Sequence, residues 1–294
     1  MTKQEFQKLV EKVVLLDGAT GTNLIAAGMQ RGTCTEKWVL EHEEILINLQ
    51  RAYVEAGSQI IYAPTFGANR IMLQSRGMEK EIRNMNSRLV ELSKKAVSGK
   101  AYVAGDITTS GKILGATEEY IYDDALEMYK EQISYLAEAG ADLLVAETMI
   151  HIDEAVAAVE AASNVCDLPI ICSMTVEADG TLFSGGTVWD AVATLQEAGA
   201  SAVGINCSVG PDQLEAIVTA MKQVAKVPII VKPNAGMPVI DENGKASYTM
   251  NAEDFAFYMK KLVSLGAGLI GGCCGTTPEY IARLKDMLRE NIRK

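Results

Sequence analysis

Two short stretches carry residue types that could do chemistry together. Gly271-Gly272-Cys273-Cys274-Gly275 sets two adjacent cysteines in a glycine-rich turn behind the apolar run Leu269-Ile270. Gly204-Ile205-Asn206-Cys207-Ser208 ends another apolar run on a third cysteine. Successive residues of a regular strand point to opposite faces, so Cys273 and Cys274 could not serve one site from within a strand. Flanking glycines accept backbone angles that other residues avoid, which lifts that restriction. If the two strand ends lie close together, three sulfurs converge. Three thiolates could then hold one zinc ion at Zn–S distances of about 2.3 Å. His42 and His151 have no partner at ligand spacing, so no fourth protein ligand is apparent. An open fourth position is what a catalytic zinc site keeps.

The ligand type narrows the chemistry. Three deprotonated sulfurs on Zn²⁺ sum to a formal charge of about −1, which makes a poor electrophile for activating water. A substrate thiol in the fourth position would lose its proton near neutral pH yet stay electron-rich on sulfur. Alkyl transfer to a thiol suits such a centre better than hydrolysis. Other readings of the same residues stand beside this one. Buried cysteine is common packing, a vicinal pair can be redox-active, and a Gly-Gly turn after a late barrel strand can cradle a phosphate on its N–H groups. Cys34, Cys166 and Cys172 have no partner at a useful spacing and read as loop or core.

The elements that would position these cysteines are legible in pattern. Short aliphatic runs recur at 13–16, 59–62, 101–104, 142–146, 170–174, 202–205, 229–231 and 268–270. They are too short for helices and do not alternate cleanly, as expected of parallel strands buried on both faces. Amphipathic helical patterns lie between them, such as Leu214, Ile217, Val218, Met221 and Val224 behind Pro211, read as the first helical residue. Gly57, Gly140, Gly199 and Gly266 each end such a pattern, ready to cap it in the left-handed conformation. Eight such repeats describe a (β/α)8 TIM barrel of the α/β class, as a single domain over 1–294. In that fold strands six and eight share parity, so Cys207 and the Cys273-Cys274 pair can meet. The connections expected to be long are Gly28 to Glu41, Ile107 to Asp123 and Pro233 to Met250. All leave strand C-terminal ends, where barrel enzymes keep their sites.

Composition bounds the partners. A net charge of −11 over 294 residues argues against nucleic acid. No apolar run reaches the ~18–20 residues needed to span a bilayer, and residues 1–12 lack a signal-peptide core. A cytoplasmic protein is expected, with its six cysteines as thiols or metal ligands rather than disulfides.

With the motifs laid out, the chain resembles the homocysteine S-methyltransferases, a family that includes betaine- and S-methylmethionine-dependent enzymes and the homocysteine-binding module of cobalamin-dependent methionine synthase. The resemblance rests on Asn206-Cys207, on Gly271 to Gly275, and on the opening Leu16-Asp17-Gly18-Ala19-Thr20-Gly21-Thr22 with Ala63-Pro64-Thr65-Phe66. It is strongest to the methionine synthase branch and covers nearly the whole chain. It implies Cys207, Cys273 and Cys274 as zinc ligands, and Asp17 and Glu147 as the acids that hold the amino-acid end of L-homocysteine. Two carboxylates can share an ammonium group. Asn206 is implied as a supporting residue. The plainer readings are a turn or cap for Asp17 and an ion pair with Lys232 for Glu147. The chain stops at Lys294, before any folate- or cobalamin-binding module. The expected methyl donor is therefore a separate corrinoid protein, with a small donor such as betaine or S-methylmethionine as the alternative. Another thiol acceptor, or a non-catalytic subunit that binds zinc or a corrinoid protein, are the competing functions.

Overall fold

In the computed structural model, which describes residues 1–115, 120–240 and 246–292, all eight aliphatic runs become parallel strands of one sheet. They are β1 (Val14–Leu15), β2 (Ile60–Tyr62), β3 (Tyr102–Ile107), β4 (Leu143–Met149), β5 (Ile170–Met174), β6 (Ala202–Asn206), β7 (Ile229–Lys232) and, after a hairpin of β8 (Pro238–Ile240) and β9 (Ala246–Tyr248), β10 (Ala267–Ile270). The strand order is β1-β10-β7-β6-β5-β4-β3-β2. The cysteine-bearing strands β6 and β10 thus flank β7.

Residues two apart share a face, and Val14 with Leu16, Ile60 with Tyr62, and Leu143 with Val145 fill one buried cluster with Ile171, Ile230 and Leu269. This is the barrel interior. Phe6, from the first helix Lys3–Leu9, packs into the same cluster. A larger apolar layer lies between the strands and the surrounding helices. Each predicted glycine stop has positive φ, from 87° at Gly140 to 122° at Gly57.

The seam between β1 and β2 is joined largely by side chains. One backbone bond crosses it, from Gln59 N–H to Leu15 O at 2.7 Å. Gln59 Oε1 accepts the Leu15 N–H at 3.1 Å, and Ser58 Oγ donates to Leu16 O at 3.0 Å. Asp17 Oδ2 accepts the Tyr62 N–H at 2.8 Å. These side chains satisfy strand groups that a further ladder would otherwise pair.

The long connections carry more structure than loops. Helix Thr35–Glu41 occupies the end of the first, and its Glu36 accepts the Gly67 N–H at 2.6 Å. The third folds into the β8–β9 hairpin, paired antiparallel, with 241–245 outside the described residues. In the second, 116–119 lie outside the described residues and a helix begins at Tyr122. Pro211 opens a 3₁₀ turn, Pro211–Gln213, rather than the helix itself, which is Glu215–Val224. An N1 proline suits either start, because both leave its missing N–H unused.

Gly204 is where β6 and β7 touch. A Cβ there would fall well inside contact distance of the Ile230 carbonyl oxygen, a backbone atom that cannot step aside. Gly204→Ala is expected to cost about 3 kcal/mol or more, read as a lowered urea midpoint. An unchanged midpoint would contradict this strand register.

Candidate metal centre and substrate cavity

Backbone hydrogen bonds from the end of β7 hold the cysteine loops on either side of it. Cys207 N–H donates to Lys232 O at 3.2 Å, Cys273 N–H to Pro233 O at 2.7 Å, and Ala235 N–H to Cys274 O at 2.9 Å. Cys207 itself has φ +47°, a left-handed conformation that costs a non-glycine residue about 1–3 kcal/mol. Its carbonyl is held by the Thr175 hydroxyl at 3.0 Å. Gly271 and Gly272 keep ordinary φ angles, contrary to the expected need for unusual ones. Their reason is close approach. A Cβ on Gly271 would lie 2.6 Å from Asp17 O, and one on Gly272 would overlap Thr276. Gly275 has φ +85° and lies against the Tyr248 ring from β9.

The result is that the Sγ atoms of Cys207, Cys273 and Cys274 all lie within 4.8 Å of one another. Cys207 and Cys274 are 3.6 Å apart. Tetrahedral zinc with bonds of about 2.3 Å needs sulfurs about 3.8 Å apart, so the cluster fits the ion. Bonds from Cys207 and Cys273 push the Cys274 thiol down to about 3, with Tyr248 adding to them. Bonds to Cys207 and Cys274, together with burial, push the Cys273 thiol well up. A divalent ion is what would allow all three to be thiolates at neutral pH. Cys34 bonds Glu36 at 3.2 Å. Cys172 lies in buried β5, its thiol pushed up to about 12 by burial. Cys166 donates to Ala162 O. None of these joins the cluster.

The three sulfurs open onto a cavity of about 270 Å³ that is also lined by Asp106, Glu147 and Lys232. Glu147 sits near the end of β4, beside Thr148 at φ +59°. Asn206 holds that turn. Its Oδ1 accepts from Thr148 N–H at 2.7 Å and Ser173 Oγ at 2.8 Å, and its Nδ2 donates to Thr148 Oγ1 at 2.7 Å and Glu147 Oε2 at 3.3 Å. Every polar valence of the amide is used. Asn206 therefore orients Glu147 rather than a sulfur.

Lys232, at the end of β7, is 3% exposed. Its Nζ lies 3.0 Å from Asp17 Oδ1 and 3.8 Å from Glu147 Oε2, and 4.0 Å above the Tyr62 ring centroid. Burial works against its charge, yet Asp17 and Glu147 prevail and hold its pKa well above the ordinary lysine value. Asp17 is 1% exposed and sits behind this lysine rather than in the cavity lining. Burial pushes the Asp17 and Glu147 carboxyls up, with Lys232 as the main opposing influence on both. Burial, with the neighbouring Glu147 carboxyl adding to it, pushes the Asp106 carboxyl well above the ordinary range. The sequence pattern missed Asp106 as a site residue. Its one signal was an acid near the C-terminal end of a buried strand.

Removing one sulfur leaves too few ligands for tight binding. Cys273→Ala is expected to lower zinc content from about one ion per chain to near zero after dialysis against a chelator. Full retention, read by elemental analysis, would count against the three-sulfur site.

Comparison with known proteins agrees with this geometry. The family model described as homocysteine S-methyltransferase matches residues 14–288. The chain is 30% identical to methionine synthase of Mycobacterium leprae and 29% identical to that of Mycobacterium tuberculosis, over 94% and 93% of its own length. It spans about a quarter, 24%, of each of those relatives. Among solved structures it is similar to the metallated form of the homocysteine methyltransferase MmuM from Escherichia coli. The TM-score is 0.77 and the identity 26%, with 94% of this chain and 96% of that one covered. A nearly closed eight-stranded barrel, a three-cysteine cluster of zinc-binding dimensions and a match along most of the sequence converge on one conclusion: the chain belongs to the homocysteine S-methyltransferase family.

Proposed function

We propose that this chain, acting as one domain over 1–294, transfers a methyl group to the sulfur of L-homocysteine to give methionine, with zinc on Cys207, Cys273 and Cys274. The observation that carries the reading is that the three sulfurs and an oriented carboxylate, Glu147, face one cavity. Bound there, zinc supplies a charge that lowers the pKa of a substrate thiol, so that the thiolate is the nucleophile. Glu147 and Asp17 hold the substrate ammonium. Their spacing supports this, because the ammonium of Lys232 already lies 3.0 Å from one and 3.8 Å from the other. Asn206 keeps Glu147 in place through its four hydrogen bonds, a positioning role. The apolar share of the lining, including Ala63, Pro64 and Phe66, excludes water from the attacking sulfur.

The methyl donor in this reading is a methylated corrinoid protein. Its support is the similarity to methionine synthases. The setting is the cytoplasm, where thiols stay reduced. Among the described residues no helix is long and apolar enough to cross a membrane.

The test supplies zinc-loaded protein with L-homocysteine and, in turn, a methylcorrinoid protein, betaine and S-methylmethionine. Methionine is expected from the corrinoid donor. Glu147→Ala should raise KM for homocysteine about tenfold to a hundredfold by removing a charged partner of the ammonium, with zinc content unchanged. An unaltered KM would mean that the acceptor is a thiol without an amino group. No methionine from any donor would defeat the proposal.

A further inference from the structure

Lys232 has no part in the reaction just described, yet it occupies its centre. It is the one cationic side chain in the cavity lining among the described residues. It also stands where the substrate ammonium is to bind, between Asp17 Oδ1 and Glu147 Oε2. Two ammonium groups cannot share that gap. At such separations in a desolvated site, like charges repel strongly. If the substrate enters, the lysine must leave. A buried lysine charge that leaves its partners needs a new anion, because an unpaired buried charge is strongly disfavoured.

We propose that Lys232 is a resident occupant of the ammonium site that exchanges with the substrate, turning on its flexible stem from Asp17 and Glu147 to the α-carboxylate of the incoming amino acid. The inference rests on the homocysteine reading and names what that reading lacks, a partner for the carboxylate. The site then selects a zwitterion. The substrate brings one charge of each sign, so the buried net charge does not change and every charge keeps a partner. An amine without a carboxylate would displace Lys232 and leave it unpaired. A carboxylate without an amine would draw Lys232 away and strip Asp17 and Glu147 of their cation.

Tyr62 supplies a second observation. Its hydroxyl is buried without a hydrogen-bond partner, although its ring lies directly beneath Lys232 Nζ. Burial holds the phenol well above its ordinary pKa, so it remains a donor. Asp17 Oδ1, for its part, has a cation at 3.0 Å but no well-directed hydrogen bond. The resident pair is thus not fully satisfied, as a place held for exchange requires. A carboxylate accepting from both Lys232 and Tyr62 would fill an unused donor that burial otherwise makes costly.

The test is calorimetric titration of zinc-loaded protein with L-methionine and with L-methioninol. The latter keeps the ammonium and the thioether but replaces the carboxylate by an alcohol. Wild-type protein is expected to prefer methionine about a hundredfold, the scale of a buried charge-assisted contact. In Lys232→Met the preference should fall to about threefold or less. Methionine should bind more weakly, while methioninol binds as well as before or more tightly, because its competitor for the ammonium site is gone. A lysine that only supported the fold would weaken both ligands together, and that result overturns the exchange. Tyr62→Phe, which deletes one oxygen and leaves the lysine in place, should lower the preference by about three- to tenfold. If Lys232→Met does not fold, the wild-type comparison decides alone: equal affinity for the two ligands overturns the carboxylate contact and leaves the homocysteine reading standing. Binding of neither ligand overturns the homocysteine reading, and the exchange with it.

Discussion

The metal centre depends on a few backbone hydrogen bonds at the end of β7. Lys232 O, Pro233 O and the Ala235 N–H bind Cys207 on one side and Cys273 and Cys274 on the other. The width of a single strand therefore sets the distance between the sulfurs. Side-chain rotation alone could not bring three thiols from two non-adjacent strands to tetrahedral spacing. The left-handed turn at Cys207 completes the arrangement, and its strain is tolerated because both neighbouring loops fix the peptide groups around it. Gly271 and Gly272 matter for the same reason. They let the β10 loop lie against Asp17 and Thr276 closely enough to reach the β7 carbonyls.

Charge is the second constraint, and the same short segment carries it. Lys232 is the last residue of β7, so the strand that spaces the sulfurs also brings a cation among Asp17, Asp106 and Glu147. Asp17 in turn closes the barrel seam by accepting the Tyr62 N–H. Seam, acid pair and metal loops are thus one connected unit. A substrate that disturbs Lys232 acts on groups that join β1, β2, β4 and β7. This is why a net-neutral, two-charged ligand suits the cavity better than a singly charged one of the same size.

Much of this was legible before the structure. The eight strands appeared as aliphatic runs because parallel strands buried on both faces have no polar side to break the pattern. The cysteines were legible as a site because their strand ends carry glycine and thiol together. What escaped the sequence were properties of relation rather than type. The four hydrogen bonds of Asn206, the desolvation of Asp106 beside Glu147 and the central place of Lys232 depend on residues dozens of positions apart. The helix Thr35–Glu41 and the β8–β9 hairpin hid inside stretches whose polar and glycine content reads as loop. The plain reading of Glu147, an ion pair with Lys232, is present at 3.8 Å, whereas Asp17, plainly read as a turn or cap, instead makes contacts across the barrel, to the Tyr62 N–H and to Lys232. These contacts also leave the acid pair spaced to receive an ammonium group.

The central claim is that three sulfurs of this chain present a metal to a substrate thiol. Zinc-edge X-ray absorption on the purified protein, with and without L-homocysteine, tests it directly. The account predicts three sulfurs and one lighter atom in the resting protein, and four sulfurs at about 2.3 Å once homocysteine is added. A spectrum unchanged by homocysteine, or a resting centre with fewer than three sulfurs, would contradict it.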